Sequence, residues 1–186
     1  TLYDDAKAVD GDVKNVKITR FSDLETSLYR SGIGIDTHKL VENRKLVLGG
    51  VEIPFEKGLL GHSDADVLTH AVMDAILTAI GERDIGVLFP DTDEKYKGIS
   101  SMLLLKEVLS RLDMRGYVVK FVSATVACQR PKLNPYFDKI RTSLSHALSI
   151  CQDNLSLAFT TTEGLGLVGA GDGISVIASA TVVAKQ

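Results

Sequence analysis

An alternating stretch at residues 31–38, with the sequence Ser-Gly-Ile-Gly-Ile-Asp-Thr-His, constrains the fold more than any other part of the chain. Isoleucine alternates first with glycine and then with polar residues, and this period of two predicts a β-strand. Side chains two residues apart on a strand point to the same face of a sheet. Asp36 and His38 are therefore expected to lie side by side.

Periodicity along the rest of the chain predicts an α+β fold. Alternating and β-branched residues predict strands at 31–38, 45–53, 118–128, 154–162 and 173–184. Apolar residues at helical spacing predict helices at 64–80, 100–114 and 134–151. Ser100 should cap the second helix, Gly81 and Gly116 should end the first two, and Pro135 suits the first turn of the third. This order predicts a mixed sheet of four to five strands with helices packed on one face.

The composition restricts the classes of protein to which the chain can belong. Its 186 residues suffice for one domain with a sizeable core, and 45% of them are hydrophobic. A formal net charge of −3 gives no reason to expect nucleic acid or an anionic membrane as a partner. Cys128 and Cys151 fit neither a disulfide framework nor a cysteine-rich metal site. With no long apolar run and no transit-peptide composition, a bacterial cytoplasm is expected rather than a plastid stroma.

Histidines and carboxylates recur at spacings that suit a metal site. His70 falls on the first predicted helix, with Asp66 four residues before it and Asp74 four residues after it on one face. Asp36, His38 and His70 together offer the oxygen and nitrogen ligands of a catalytic zinc that keeps one open position. Asp74 is expected to orient the His70 imidazole. A solvated strand end and an ordinary helix histidine are the alternative.

Three further segments carry groups that suit phosphate. His62 and Ser63 precede the first predicted helix, where free backbone N–H groups receive oxyanions. The strand end near Lys132 contains a proline kink that leaves backbone groups unpaired, and the lysine adds a positive charge. Residues 160–163, Thr-Thr-Thr-Glu, offer hydroxyls and a carboxylate to phosphate and to a hard cation.

Three other features have weaker or no functional implications. The polar loop at 81–93 either holds ribose hydroxyls or is simply solvated. Residues 164–169 match the pattern Gly-x-Gly-x-x-Gly, but a strand is predicted to follow them, so a dinucleotide site is rejected. His146 lies on the third predicted helix without a partner in its own segment, and no functional role is expected for it.

Six ordered motifs resemble those of the 2-C-methyl-D-erythritol 2,4-cyclodiphosphate synthases of the non-mevalonate isoprenoid pathway. The motifs are Gly-Ile-Asp-Thr-His at 34–38, Gly-His-Ser-Asp-Ala-Asp at 61–66, Asp-Ile-Gly at 84–86, Leu-Phe-Pro-Asp-Thr-Asp at 88–93, Gln-Arg-Pro-Lys at 129–132 and Thr-Thr-Thr-Glu at 160–163. The resemblance runs from about Ser31 to the C-terminus. It implies a homotrimer around a central channel, with active sites between subunits.

The resemblance also implies two metal ions and a reaction. Asp36, His38 and His70 are expected to bind Zn²⁺, and Glu163 is expected to bind a second divalent cation, Mg²⁺ or Mn²⁺. In the implied reaction the 2-phosphate of 4-diphosphocytidyl-2-C-methyl-D-erythritol 2-phosphate attacks the β-phosphorus, which closes the cyclodiphosphate and releases CMP. The protein would supply positioning and charge neutralisation. A non-catalytic metal-dependent nucleotide-binding module and a zinc hydrolase are the alternatives.

The resemblance further implies which residues contact the substrate. His62 and Thr161 are expected to stabilise the transition state, Asp84 and Gly86 to contact the ribose and methylerythritol region, and residues 128–134 to bind cytosine. The full expected substrate-binding set is Asp36, His38, His62, Ser63, Asp84, Ile85, Gly86, Phe89, Pro90, Asp91, Thr92, Asp93, Cys128, Gln129, Arg130, Pro131, Lys132, Leu133, Asn134, Thr160, Thr161, Thr162 and Glu163.

The chain is expected to divide into two parts of unequal size. Residues 29–186 correspond to the synthase domain. Residues 1–28 are polar and acidic and resemble the C-terminal tail of the methylerythritol-phosphate cytidylyltransferase of the same pathway, which is fused to the synthase in some bacteria. Within the synthase part, Leu167 and Ala170 replace the aromatic residue and the arginine often found near the central channel.

Overall fold

The computed structural model describes residues 29–185, so the predicted N-terminal segment at 1–28 lies outside the described residues. The strands are β1 (Tyr29–Glu42), β2 (Leu46–Leu48), β3 (Val51–Ile53), β4 (Lys57–Leu59), β5 (Tyr117–Ala127), β6 (Leu155–Thr160) and β7 (Gly173–Ala184). The helices are α1 (Val67–Ala79), α2 (Ile85–Leu88), α3 (Ser101–Met114), α4 (Phe137–Ala147) and α5 (Gly166–Gly169). Short 3₁₀ turns lie at Glu94–Tyr96, Asn134–Tyr136 and Gln152–Asn154.

Five of these strands form one mixed sheet, as the sequence predicts. Their order is β4-β1-β7-β5-β6. β7 pairs antiparallel with β1 and β5, whereas β5 and β6 run parallel. The parallel pair is connected through α4, as a parallel crossover requires. The long central pairing of β1 with β7 fixes the position of Asp36 and His38.

Helix α1 packs directly on the backbone of β1. A side-chain Cβ at Gly34 would overlap the carbonyl oxygen of Ala71, and one at Gly32 would overlap that of Ala75. The two glycines therefore allow a close approach of helix and strand that no larger residue permits. The alternate residues of β1 point to the other face, where Ile33 is 63% exposed. In this part of the sheet, the helix covers one face and leaves the opposite face open.

Helix α1 is shorter than its periodicity predicts. It begins at Val67 because the Asp66 carboxylate caps it by accepting a hydrogen bond from the Thr69 amide at 3.0 Å. Asp66 is fully buried and also accepts from the amides of Gly49 and Gly50. It thus joins the helix start to the turn between β2 and β3 and does not lie on a helix face beside His70.

The second predicted strand, at 45–53, is a hairpin instead. Gly49 and Gly50 have φ angles of 58° and 74°, which reverse the chain between β2 and β3. These two strands form a separate antiparallel ribbon, and β4 joins the main sheet without having been predicted. An apolar run broken by two glycines cannot be assigned to one strand or two from periodicity alone.

The other two predicted helices differ from the structure mainly at their ends. Ser100 caps α3 as predicted, accepting from the Met102 amide, and Gly116 follows that helix with a φ of 78°. α4 begins only at Phe137, because Pro135 lies in the 3₁₀ turn before it. It ends at Ala147, and the positive φ of Ser149 prevents its continuation to residue 151.

The Gly-x-Gly-x-x-Gly segment is followed by a strand only after one helical turn. Residues Gly166–Gly169 form α5, and β7 begins at Gly173. A single turn of four residues that leads into a strand is not the helix of a dinucleotide fingerprint, so the rejection stands. Over residues 29–185 the chain contains no helix of the length and apolarity needed to cross a membrane.

Candidate active site

Asp36, His38 and His70 converge on one point at the edge between β1 and α1. Asp36 Oδ2 lies 2.9 Å from His38 Nε2 and 3.1 Å from His70 Nδ1, and the two imidazole nitrogens are 3.3 Å apart. Their ligand atoms all lie within 4.8 Å of one another. One carboxylate oxygen and two imidazole nitrogens so close together suit a cation with tetrahedral coordination, in which the fourth coordination position stays open.

Backbone contacts hold the first two ligands in place. His38 Nδ1 lies 2.6 Å from the Leu60 carbonyl oxygen, an acceptor, so this nitrogen carries the proton and Nε2 is free to bind a cation. Asp36 Oδ1 accepts from the Thr37 amide at 2.7 Å, which leaves Oδ2 for the cluster. His38 Nε2 and Asp36 Oδ2 are therefore the atoms that face the point where the three side chains converge.

The hydrogen-bond partner that orients the His70 ring differs from the predicted one. His70 Nε2 lies 2.9 Å from Ser101 Oγ and 3.2 Å from Ser63 Oγ. Asp74, the residue predicted for this role, instead accepts a hydrogen bond from the Ile85 amide at 2.8 Å and thereby holds the start of α2. The prediction for Asp74 is wrong because the His70 ring turns its free nitrogen toward α3.

Electrostatics within the cluster favour the charged forms of Asp36 and His38. Burial by itself would raise the pKa of Asp36, but the contacts of its carboxylate with the His38 and His70 rings bring that pKa well below its ordinary range. Burial would likewise lower the pKa of His38, and the contact with Asp36 outweighs it and raises the pKa. The site is thus built to hold positive charge beside Asp36.

A cavity of about 450 Å³ opens in front of the three ligands. The lining residues are Asp36, His38, Gly61, His62, Ser63, His70, Asp74, Ile85, Gly86, Phe89, Asp91, Tyr96 and Leu104. Most of the residues predicted from motifs 61–66, 84–86 and 88–93 therefore contribute to one space. A cavity of this size accommodates a small organic ligand.

The loop at 84–93 forms the outer wall of this cavity. Asp84 caps α2 by accepting from the Val87 amide, so its carboxylate serves a structural contact there. His62 Nε2 contacts the Asp93 carbonyl oxygen at 3.2 Å, which ties the loop to the segment before α1. Lys95 beside Asp93 lowers the pKa of that carboxyl group. Pro90 and Thr92 lie in the same loop but do not line the cavity.

A second group of predicted residues lies in a different cavity of about 300 Å³. Its lining residues are Cys128, Pro131, Lys132, Leu133, Asn134, Phe159, Thr160 and Thr161. Gln129 and Arg130 instead line a third space beside residues 169–171. Burial raises the pKa of the Cys128 thiol to about 11, and its sulfur contacts the Arg130 carbonyl oxygen. Within one chain, the predicted metal residues and the predicted cytosine residues are thus apart.

Thr161 and Glu163 lie beyond the strand on which they were predicted. β6 ends at Thr160, and Glu163 adopts a φ of 50° in the turn that follows. The Thr161 hydroxyl donates to Glu163 Oε1 at 2.7 Å, and the Thr162 hydroxyl donates to the Leu165 carbonyl oxygen. The turn after β6 thus brings the Thr161 hydroxyl and the Glu163 carboxylate into contact.

Several residues near the site were not identified from the sequence. Ser101 and Asp64 lie behind His70, Arg44 donates to the Ser63 carbonyl oxygen at 2.9 Å, and Tyr96 packs edge-on against Phe89. Asp64 belongs to the motif at 61–66, and this motif is the sequence signal that could have identified it. Ser101 and Arg44 come from distant segments that no spacing rule connects to His70.

The fold and the site together define a protein of mixed α+β architecture with a candidate metal centre in a cavity. The sequence profile of the YgbB family matches residues 29–183, and the chain belongs to that family. A 2-C-methyl-D-erythritol 2,4-cyclodiphosphate synthase of Clostridium acetobutylicum is 57% identical over 146 residues, which cover 78% of this chain and 94% of the relative. One of Lachnospira eligens is 55% identical over 146 residues, covering 78% and 80%. The chain is thus a member of the cyclodiphosphate synthases, which are lyases.

Solved structures agree with this membership. A 2C-methyl-D-erythritol-2,4-cyclodiphosphate synthase in a CDP-bound form is 39% identical, with a TM-score of 0.77 over 82% of this chain and 99% of that one. The Plasmodium falciparum IspF in complex with CDP is 32% identical, with a TM-score of 0.74 over 85% and 97%. The bifunctional IspDF of Campylobacter jejuni is 38% identical, with a TM-score of 0.81, and matches 84% of this chain but 42% of its own length.

Proposed function

We propose that this chain cyclises 4-diphosphocytidyl-2-C-methyl-D-erythritol 2-phosphate to 2-C-methyl-D-erythritol 2,4-cyclodiphosphate with the help of Zn²⁺ and a second divalent cation. An oxygen of the 2-phosphate forms a bond to the β-phosphorus, and the bond from that phosphorus to the α-phosphate oxygen breaks, so that CMP leaves. The observation that carries the proposal is the convergence of Asp36, His38 and His70 on the floor of a cavity in a member of this family.

The donor set fits zinc well. Two imidazole nitrogens and one carboxylate oxygen are its common catalytic ligands, and Asp36, His38 and His70 would hold it. When bound, zinc would polarise a phosphate oxygen and neutralise its charge. Glu163, which is exposed and carries no other cation contact in the described part of the chain, is the proposed ligand of Mg²⁺ or Mn²⁺.

The remaining residues of the two cavities would position the substrate. His62 faces the first cavity beside the ligands and would donate to the transferring phosphate. Thr161 lines the second cavity and would donate from the other side. Both reactants belong to one molecule, so holding the phosphates close together supplies most of the required catalysis, without a side-chain nucleophile.

A homotrimer would bring the two cavities together. Ile35 and Ile177 are partners on neighbouring strands and are 64% and 55% exposed, and Ile33 continues this patch on the sheet face opposite α1. Such an apolar face favours burial against further copies of the chain. We therefore propose that residues 128–134 and 160–163 of one subunit complete the metal cavity of its neighbour.

The cellular setting proposed here follows from the relatives. The Campylobacter jejuni neighbour is a bifunctional protein, and a fusion or association with the methylerythritol-phosphate cytidylyltransferase is proposed for this chain as well. Residues 1–28 would then be the end or linker of that partner. Bacterial relatives of the synthase favour the cytoplasm as the location.

Product analysis tests the proposed reaction. The full chain with Zn²⁺ and Mg²⁺ is incubated with the substrate, and ³¹P NMR follows the phosphorus atoms. Equal amounts of CMP and a cyclic diphosphate are expected. CMP together with a non-cyclic bisphosphate would identify a zinc hydrolase, and binding without turnover would identify a nucleotide-binding module. Either outcome overturns the proposal.

A further inference from the structure

A hydroxyl and a carboxylate lie in line behind the His70 ring. Ser101 Oγ is 2.9 Å from His70 Nε2 and is also hydrogen bonded to Asp64 Oδ1. Ser101 is completely buried and His70 is 6% exposed, so water does not replace either partner at this contact. None of the six sequence motifs contains Ser101, and the proposed reaction assigns no role to Asp64.

The number of donors and acceptors fixes the direction of these hydrogen bonds. The Asp64 carboxylate only accepts, and it also takes the backbone amide of Ser101 at 2.9 Å and that of Asp66 at 3.3 Å. The single hydroxyl hydrogen of Ser101 goes to Asp64. Ser101 Oγ can then only accept from His70, so the imidazole proton must lie on Nε2.

This direction of the hydrogen bonds leaves Nδ1 of His70 available to the metal. In the neutral ring with its proton on Nε2, His70 Nδ1 presents its lone pair toward the point shared with Asp36 Oδ2 and His38 Nε2, which lie at 3.1 and 3.3 Å. The opposite tautomer would place a hydrogen at that point and prevent coordination. Which nitrogen carries the proton therefore decides whether His70 can act as a ligand at all.

The start of helix α3 strengthens the arrangement. Ser101 is the first residue of this helix of 14 residues, and the Asp64 carboxylate lies at its N-terminus. A helix N-terminus favours negative charge, and here it is aligned with the hydrogen-bond chain that ends at His70. The start of α3 is thus connected to His70 through the Ser101 hydroxyl.

We propose that Asp64 and Ser101 are positioning residues that hold His70 in the tautomer required for metal binding. The inference rests on the zinc site of the proposed function. Ser63 offers an internal comparison, because its hydroxyl lies 3.2 Å from the same His70 nitrogen but meets the Ala65 amide where Ser101 meets a carboxylate. Only the Ser101 hydroxyl has a carboxylate acceptor that determines its orientation.

Two substitutions separate a positioning role from a packing role. Ser101→Ala removes the acceptor for Nε2, while the Ser101 backbone amide can still donate to Asp64. Asp64→Asn presents an amide N–H to Ser101 Oγ, so the hydroxyl hydrogen turns toward His70 and favours the Nδ1–H tautomer. Ser63→Ala is the matched control, since it deletes a hydroxyl near the same nitrogen. Circular dichroism verifies the fold of each variant.

The experiment measures the tautomer and the zinc affinity of the full chain. ¹⁵N NMR of histidine-labelled protein, before and after addition of Zn²⁺, identifies the protonated nitrogen of His70, and chelator competition gives the affinity. Ser101→Ala is expected to weaken zinc binding about ten- to a hundredfold. Asp64→Asn should do the same and move the proton to Nδ1, whereas Ser63→Ala should leave the Nε2–H tautomer in place.

The outcomes distinguish this inference from the zinc assignment itself. If the unaltered chain binds no zinc, the metal assignment of the proposed function fails. If it binds zinc and all three variants bind equally well, or if Ser63→Ala weakens binding as much as Ser101→Ala, the positioning role is overturned. Should Asp64→Asn fail to fold, Ser101→Ala decides the question alone.

Discussion

At the scale of single residues, Asp36 is the centre of the candidate metal site. Its Oδ2 atom contacts both imidazoles, and these contacts hold its pKa well below the ordinary range despite burial. His70 completes the set from a different element and is the most buried of the three ligands. Removal of a single ligand should therefore affect the metal without affecting the core.

His70→Ala should abolish zinc retention and turnover while leaving the fold intact. The ring contacts the cluster and two serine hydroxyls, and the apolar residues around α1 remain to stabilise the protein. Metal analysis of the purified variant, with His146→Ala as a control on another helix, measures this. A full complement of zinc in His70→Ala would refute the ligand assignment.

Substitutions of Glu163 and Thr161 should reduce activity in different ways, although the two side chains are hydrogen bonded at 2.7 Å. Glu163→Gln weakens the attraction for a hard cation, so a higher concentration of Mg²⁺ or Mn²⁺ should restore part of the activity. Thr161→Ala removes one donor to a phosphate oxygen, which should lower kcat by roughly 10²–10³. Steady-state kinetics across metal concentrations distinguishes them; equal rescue of both by manganese would contradict the two roles.

Cys128 should resist alkylation under conditions that modify Cys151. Burial raises the pKa of Cys128 to about 11, so at pH 8 only about one thiol in a thousand is the reactive thiolate. Cys151 is exposed. Iodoacetamide at pH 8 followed by peptide mass spectrometry should find the label on Cys151, and the Cys128 reaction should accelerate as the pH approaches 11. Rapid labelling of Cys128 at pH 8 would contradict its burial.

At the scale of elements, a few capped turns determine where the site residues lie. Asp66 caps α1 and accepts from the amides of Gly49 and Gly50 and from the Thr69 hydroxyl. The same carboxylate thereby connects the β2–β3 ribbon to the helix that carries His70. The start of α1 and the turn of the ribbon are stabilised together.

Asp66→Asn should destabilise the protein by roughly 2–4 kcal/mol, since an amide provides one acceptor oxygen for four donors and leaves buried N–H groups unpaired. Urea denaturation measures the free energy of unfolding. Asp153→Asn is the control, because its side chain is 98% exposed in a surface ion pair with Arg141 and should cost less than about 1 kcal/mol. Equal stability of both variants would mean that the buried contacts of Asp66 contribute nothing.

At the scale of the whole molecule, the open face of the sheet is the main feature without a partner in one chain. Gly32 and Gly34 turn toward α1, and this places the intervening isoleucines on the opposite side. The same strand thus serves the core on one face and the proposed subunit interface on the other. The alternation along β1 therefore places Asp36 and His38 on one face and Ile33 and Ile35, the residues of the proposed interface, on the other.

Ile35→Asp should dissociate the proposed trimer and reduce turnover. A charge in the centre of an apolar interface would lose its hydration without gaining a partner. Light scattering after size-exclusion chromatography gives the mass, and Leu103→Asp is the control, at 60% exposure on α3. If Ile35→Asp keeps the mass of the unaltered chain, or if that chain is itself monomeric, the proposed interface is wrong.

Much of this protein was determined by the sequence alone. Alternation along 31–38 predicted β1 with Asp36 and His38 on one face, and helical spacing placed His70 on α1. Periodicity and caps depend on neighbours within a few residues, so local patterns suffice to predict them. The mixed sheet was confirmed, with four of its five strands at predicted positions; β4, the fifth, comes from a segment for which no strand was predicted.

Only the tertiary structure decided which distant groups meet. It turned the free nitrogen of His70 toward Ser101 and away from Asp74, split 45–53 into a hairpin, and moved Thr161 and Glu163 into a turn beyond β6. It also placed the two sets of predicted residues in separate cavities of one chain. The direction of a side chain depends on packing across elements, and no motif or periodicity in the sequence connected His70 with Ser101, 31 residues further along the chain.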